Sequence, residues 1–316
     1  MKVADVARTS ARLLDALEQV IVGKRHVLER VLWALLSDGH LLIEDVPGVA
    51  KTLIAKSFAA AIGLGFRRIQ FTPDLLPADI TGTYVLDRRT GEFVVRRGPV
   101  FTNVLLADEI NRAPPKTQSA LLEAMQERQV TLEGDTFRLD RPFFVIATQN
   151  PIELEGTYPL PEAQIDRFLM RIDVGYPLKE QEVEILRRRR VRRTDDTTVP
   201  PVTSPDEVLA LQAALEDVHV DAGIEGYIVD IVAATRTHSQ VEIGASPRGS
   251  LGLLKASRAR AALSGRDYVT PDDVKVVAVP TLAHRIILKP DPWIRGVRTA
   301  TVVSDVLGQV PVPKVP

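Results

Sequence analysis

His40-Leu-Leu-Ile-Glu-Asp-Val-Pro-Gly-Val-Ala-Lys-Thr52 reads as a short apolar strand, a turn-rich loop and the opening of a helix. A second stretch, Asn103-Val-Leu-Leu-Ala-Asp-Glu-Ile-Asn-Arg112, reads as an apolar strand that ends in two adjacent carboxylates, Asp108 and Glu109. Either stretch alone is weak evidence. Together they supply what a magnesium nucleotide needs. Loop amides and Lys51 serve the phosphates, the Thr52 hydroxyl and Asp108 serve Mg2+, and Glu109 serves the attacking water. The pair predicts binding and hydrolysis of ATP, with the two strands side by side in one sheet.

The loop departs from the usual G-x-x-x-x-G-K-[ST] pattern. Asp45 holds the first glycine position and Ala50 the second, with Val46, Pro47, Gly48 and Val49 between them. Asp tolerates left-handed backbone angles better than most residues, and Ala carries the smallest side chain that has a Cβ. Consecutive backbone N–H groups of such a loop face an anion, helped by the positive end of the following helix. Asp108 and Glu109 stand at the carboxyl end of a strand, where open α/β sheets place their ligands.

Outward from these stretches, apolar positions at helical spacing cover residues 4–20 and 24–36, and a helix follows the loop to Gly63. Residues 66–71 alternate like a strand. Residues 104–107 and 143–147 are unbroken apolar runs, as in a parallel sheet covered on both faces. Helical patterns at 116–128 and 179–193 alternate with them, which predicts a parallel α/β sheet sandwiched by helices with right-handed crossovers. Two hairpin signals interrupt the pattern. Tyr84-Val-Leu-Asp-Arg-Arg-Thr-Gly-Glu-Phe-Val-Val95 lies in a Pro-, Gly- and Asp-rich stretch at 73–100, and Val130-Thr-Leu132 and Phe137-Arg-Leu139 flank Glu-Gly-Asp within 129–141. Residues 194–205 form a Thr-, Pro- and Asp-rich linker. Beyond it the chain reads all-helical over 205–217, 222–238, 247–264 and 271–287, and the tail after Pro290 is expected to be ordered at first and frayed at its end.

Composition narrows the function classes. A chain of 316 residues predicts about two domains. Forty basic residues nearly cancel forty-one acidic ones, so no global field draws the protein to nucleic acid. The absence of cysteine excludes thiolate metal sites and cysteine nucleophiles, and the five histidines have no ligand spacing. The arginines at 187–193 read as a solvated helix end, with few aromatic residues nearby to stack bases. No stretch approaches the roughly 20 apolar residues of a membrane span, and no apolar leader is present at the N-terminus, so a cytoplasmic location is expected.

Ile21-Val-Gly-Lys24, Asp108-Glu-Ile-Asn-Arg-Ala113, Ala147-Thr-Gln-Asn-Pro151, Pro161-Glu-Ala-Gln-Ile-Asp-Arg-Phe168 and Gly244-Ala-Ser-Pro-Arg248, in this order, resemble the MoxR family of AAA+ ATPases over roughly residues 15–290. The resemblance implies an AAA+ nucleotide-binding domain over 1–193 with inserts at about 73–100 and 129–141, a linker at 194–205, and a helical lid domain with its tail over 206–316. It makes Asn150 the sensor-1 residue that positions water and Arg167 the arginine finger offered to a neighbouring subunit, with Arg171 as the alternative finger. Arg248 becomes the sensor-2 arginine, expected to reach the nucleotide of its own subunit, and Arg112 a contact between subunits. The hairpins resemble inserts that face the axis of a ring. The family further implies a homo-oligomeric ring, expected to be a hexamer, and a chaperone-like action on protein clients beside a von Willebrand factor A-domain partner. Two other readings stay open: a nucleic-acid or chelatase-type motor subunit, and an ATP-binding assembly scaffold with little turnover.

Overall fold

The computed structural model describes residues 2–150 and 156–314. Two amphipathic helices, α1 (Val3–Glu18) and α2 (Arg25–Leu36), lead into the central strand β1 (Leu41–Glu44) and, after the loop, helix α3 (Lys51–Ile62). Edge strand β2 (Phe66–Gln70) and a short helix α4 (Pro77–Thr81) precede the first hairpin, β3 (Gly82–Leu86) with β4 (Phe93–Arg97). Strand β5 (Val104–Asp108) and helix α5 (Pro115–Glu127) follow, then the second hairpin, β6 (Gln129–Leu132) with β7 (Asp135–Arg138). Strand β8 (Phe144–Gln149), the single turn α6 (Glu162–Ile165), strand β9 (Met170–Ile172) and helix α7 (Lys179–Arg192) complete this half. The rest holds α8 (Pro205–Ala214), α9 (Ala222–Thr237), β10 (Val241–Ile243), α10 (Pro247–Leu263), α11 (Pro271–Leu282), β11 (Ile287–Leu288), α12 (Pro290–Ile294) and α13 (Thr299–Gln309).

The five-stranded sheet is parallel in the order β2-β5-β8-β1-β9. The apolar runs are explained by what lies on its two faces. Leu41, Ile43, Val104, Leu106, Phe144 and Ile146 enter one core together with α1, α2, α3 and the helical half. Leu42, Leu105, Ala107, Val145 and Ala147 point the other way, into a second core shared with α5 and the hairpins. Alternate residues thus serve opposite cores, which leaves polar residues only toward the carboxyl ends of the central strands. Each such buried Leu or Val contributes about 1.5–3 kcal/mol, which anchors the strand ends that carry the polar loops.

Four features correct or extend the sequence reading. The expected adjacency of the phosphate-loop strand and the carboxylate strand does not hold, because β8 pairs with both β1 and β5 and lies between them. Strand β9, not foreseen, closes the sheet beside β1. The helical half also contains the antiparallel pair β10–β11, since the helix expected through 287 ends at Leu282. The tail after Pro290 forms α12 and α13, and Val302, Val303 and Val306 of α13 are buried. Pro151, which ends the Ala147-Thr-Gln-Asn motif, lies outside the described residues. Both expected hairpins are present, and the first exposes Phe93 at its far end.

Candidate functional site

The loop between β1 and α3 turns twice through left-handed backbone, at Gly48 (φ 85°) and at Ala50 (φ 62°), which immediately precedes the first turn of α3. A Cβ built on Gly48 would meet no protein atom within 4 Å, so this side of the loop is open to a ligand. Ala50 tolerates the left-handed angle because its side chain is a single methyl group, at a cost of about 1–2 kcal/mol against glycine. Asp45 is not left-handed, so conformational tolerance is not what suits it to the first glycine position. Its carboxylate works as an acceptor instead. Oδ1 accepts the Val46 N–H at 2.7 Å, and Oδ2 accepts the N–H groups of Val174 and Gly175 at 2.6 Å each, just beyond β9. Lys24 holds the same segment from the other side, donating to the Val174 and Tyr176 carbonyls at 2.8 and 2.9 Å.

Lys51 opens α3 and donates to the Asp45 carbonyl at 2.7 Å. Burial draws its ammonium below the usual lysine range, and the charges of Asp45, Asp108 and Glu109 oppose that shift. These carboxylates are therefore close enough for their fields to act on Lys51, although β8 separates β1 from β5. Two strand spacings of about 4.8 Å leave roughly 10 Å between the β1 and β5 ends, room for a phosphate chain and its cation. Thr52 follows Lys51 in the first turn of α3.

Asp108 ends β5, and Glu109 directly after it adopts a left-handed φ of 56°, which turns the chain sharply at the strand end. The fully buried Thr148 of β8 ties the two acids together. Its hydroxyl donates to Asp108 Oδ1 at 2.6 Å and accepts the Glu109 N–H at 2.8 Å. Arg68 of β2 donates to Asp108 Oδ2, Gln70 of β2 donates to Glu109 Oε2 at 2.9 Å, and Arg112 donates to the same Glu109 oxygen at 3.0 Å. Asn150 is buried just past the end of β8. Thr148, Arg68 and Gln70 escaped the sequence reading. The signal for Thr148 was its place two residues before Asn150. For Arg68 and Gln70 it was two polar residues at alternate positions of one strand, both aimed at the same face.

The three remaining arginines lie elsewhere. Arg171 sits on β9 and pairs with Glu44 at 2.9 Å. Arg167 donates to the Leu122 carbonyl at 2.9 Å, and Arg248 stands 3.8 Å from Asp166. Arg167 and Arg248 line one cleft of about 280 Å³ with Asp38, His40, Lys255 and Arg285. Asp38 and His40 precede β1, whereas the phosphate loop follows it, and four strand residues alone interpose about 13 Å. Arg248 thus lies with Arg167 at the amino end of the strands, whereas the phosphate loop lies at their carboxyl end. His40, buried behind this cleft, accepts the Val145 N–H through Nδ1 at 3.1 Å and lies 3.0 Å from the Met125 carbonyl through Nε2, and burial pushes its pKa down to about 4.

Two family models match the chain. One, described as the ATPase family associated with various cellular activities (AAA), covers residues 40–170, and one described as the AAA lid domain covers residues 233–306. A Bacillus subtilis protein, YeaC, whose function is uncharacterized, is 48% identical over 96% of this chain and 94% of its own length. Chaperone MoxR1 of Mycobacterium tuberculosis is 47% identical over 97% of this chain and 83% of its own. A crystal structure of a Cytophaga hutchinsonii protein superposes with a TM-score of 0.92 at 42% identity, covering 99% of this chain and 97% of that one. A magnesium-chelatase 38 kDa subunit of Acidiphilium rubrum is more distant, 28% identical over 65% of this chain and 59% of its own.

Proposed function

From the premise that this chain belongs to the MoxR family of AAA+ ATPases, we propose that it binds Mg2+–ATP at the loop between β1 and α3 and hydrolyses it to remodel or mature protein clients. The observation that carries the reading is that the loop leading to Lys51 and the pair Asp108 and Glu109 both follow the carboxyl ends of parallel strands, β1 and β5, of one sheet. The residues fit the group. Gly48 leaves the loop open toward a ligand, and a hydroxyl with a carboxylate is the hard-oxygen donor set that Mg2+ takes while keeping several waters. Thr52 and Asp108 would hold the cation, which when bound would supply positive charge against the phosphates.

The chain's own groups supply positioning. The loop from Asp45 to Ala50 cradles the phosphates through the N–H groups of Gly48, Val49 and Ala50 with the N-terminus of α3; Pro47 has no N–H to give, and the Asp45 and Val46 N–H groups are held by the Gln149 carbonyl and the Asp45 carboxylate. Lys51 turns from the Asp45 carbonyl to the β/γ-phosphates, Thr52 and Asp108 hold the metal shell, and Glu109 with Asn150 orients water. Arg167 and Arg248 act together on the nucleotide of a neighbouring subunit, because their cleft lies at the amino end of the strands, away from their own loop. That arrangement requires a ring, which we read as a hexamer built from a nucleotide domain at 1–193, a linker at 194–205 and a lid with its tail at 206–316. The β3–β4 hairpin, with Phe93 exposed, is the part we assign to clients, among them a von Willebrand factor A-domain protein. Among the described residues no helix is long and apolar enough to cross a membrane, and the cytoplasm is the compartment we assign. The nucleic-acid motor reading loses ground to a net charge of −1, and the chelatase reading to the greater distance of that relative.

One variant tests the whole reading. Glu109→Gln keeps the shape and removes the base, so ATP stays bound, turnover falls by about 10² or more, and clients held by the ATP state co-purify. Wild-type turnover by this variant would refute the site, and slow turnover in the wild type itself would favour the scaffold.

A further inference from the structure

Strand β2 is the edge of the sheet, and its residues 68 and 70 point to the same face, opposite Leu106 and Asp108 of β5. Arg68 places both Nε (3.1 Å) and Nη2 (2.6 Å) on Asp108 Oδ2. The other oxygen, Oδ1, is engaged by the Thr148 hydroxyl from inside the sheet, so Oδ2 is the oxygen Asp108 presents outward. The same Nη2 also donates to Gln70 Oε1 at 2.9 Å, and Gln70 in turn donates to Glu109. The Arg68 side chain is 48% exposed while the Asp108 side chain is 13% exposed, so the arginine can swing into solvent and the carboxylate cannot.

We propose that Arg68, steadied by Gln70, competes with the divalent cation for Asp108 Oδ2, so that nucleotide binding and metal binding are coupled through the departure of this side chain. The proposal rests on the reading of Asp108 as the metal carboxylate. A guanidinium and a hydrated Mg2+ both satisfy a carboxylate oxygen by positive charge, and one outward oxygen does not serve both. Metal-free ATP is compatible with Arg68 in place, where the arginine shields the γ-phosphate from the Asp108 charge. Mg2+–ATP binding must move it. Removing Arg68 therefore weakens binding of metal-free ATP and tightens binding of the metal complex, two changes that shift their ratio in the same direction.

The test titrates a fluorescent ATP analogue into wild type, Arg68→Gln, Arg68→Lys, Gln70→Leu and Arg67→Gln, each in excess Mg2+ and in chelator, and reads the ratio of the Kd in chelator to the Kd in Mg2+. Arg68→Gln is expected to raise the ratio by about tenfold, the scale of a partly exposed charge-assisted pair. Gln70→Leu raises it less, since it removes only the support. Arg68→Lys, which keeps the charge but not the fork, falls between wild type and Arg68→Gln. Arg67→Gln carries the same charge change on the opposite face of β2 and leaves the ratio unchanged. An unaltered or lower ratio in Arg68→Gln, beside a wild type that does respond to Mg2+, overturns this inference alone. A wild type that binds ATP equally with and without Mg2+ overturns it together with the assignment of Asp108.

Discussion

Replacing Asp45 by glycine would restore the residue usual at the first position of a phosphate loop, yet the structure predicts damage. The Asp45 carboxylate accepts three backbone N–H groups, from Val46, Val174 and Gly175. Val174 is buried at 4% exposure, so its amide finds no water in place of the lost acceptor. A buried donor left unpaired, as at Val174, costs about 1–3 kcal/mol, and Gly175, only half-buried, adds up to about 1.5 kcal/mol. Greater backbone freedom of glycine in the unfolded chain adds about 0.5–1 kcal/mol. The total, about 1.5–5.5 kcal/mol, is a large share of the 5–15 kcal/mol by which a typical domain is stable. Asp45→Asn should cost less, about 1–3 kcal/mol: its single carbonyl can serve Val174 and Gly175, while its amide then meets the Val46 N–H, donor against donor. Urea unfolding followed by circular dichroism gives the order wild type, Asn, Gly. Calorimetric titration with ATP should show at least a tenfold loss of affinity in Asp45→Gly, because the loop is no longer held to the end of β9. A glycine variant that unfolds at the wild-type midpoint and binds ATP as tightly would refute the reasoning.

Arg167→Ala and Lys51→Ala are each expected to be inactive alone, and mixing them should restore part of the turnover, since some interfaces then pair an intact loop with an intact finger; a finger contributes about 10³–10⁵ in rate. No recovery on mixing, with wild-type rates independent of concentration, would place the arginine's action within one subunit. Arg248→Ala should complement Lys51→Ala in the same way, because Arg248 shares the cleft of Arg167. Stability should also depend on pH through His40, whose pKa is lowered by burial to about 4. The folded chain keeps this imidazole neutral while the unfolded chain protonates it below about 6.5, so stability is full above that pH and falls by up to about 1.4 kcal/mol per unit as pH drops toward 4. His40→Gln should flatten the denaturant midpoint between pH 6.5 and 5, and an unchanged slope would count against the assignment.

The parts of this fold legible in the sequence are those whose cause is local. Residues 104–107 and 143–147 announce themselves because both faces of a central strand are covered, and Lys51-Thr52 and Asp108-Glu109 because the chain order places them at strand ends. Met170–Ile172 stayed hidden: three residues with Arg171 in the middle carry no period, and the strand exists only because β1 offers it a partner. The helices after Pro290 were masked by their prolines, which in fact occupy first-turn positions of α12. The work of Asp45 depends on Val174 and Gly175, about 130 residues away, and the contact of Arg68 with Asp108 depends on strand order. The exchange of β8 into the place between β1 and β5 is likewise a property of the whole sheet, which no single stretch encodes.

Asp166 introduces a mechanical constraint. Its carboxylate accepts from Ser246 at the start of α10 and from Arg285 beyond α11, and the Arg285 guanidinium also grips the Asp166 and Phe168 carbonyls at 2.7 Å each. Arg285 has only 3% of its side chain exposed, so this joint is short and mostly shielded from solvent. A torque on the helical half is thus delivered to the root of β9 without slack, and β9 is stapled to the phosphate loop at its other end through Asp45. The path from α10 and α11 through β9 to the phosphate loop is thus a single stiff arm, like that of a crank.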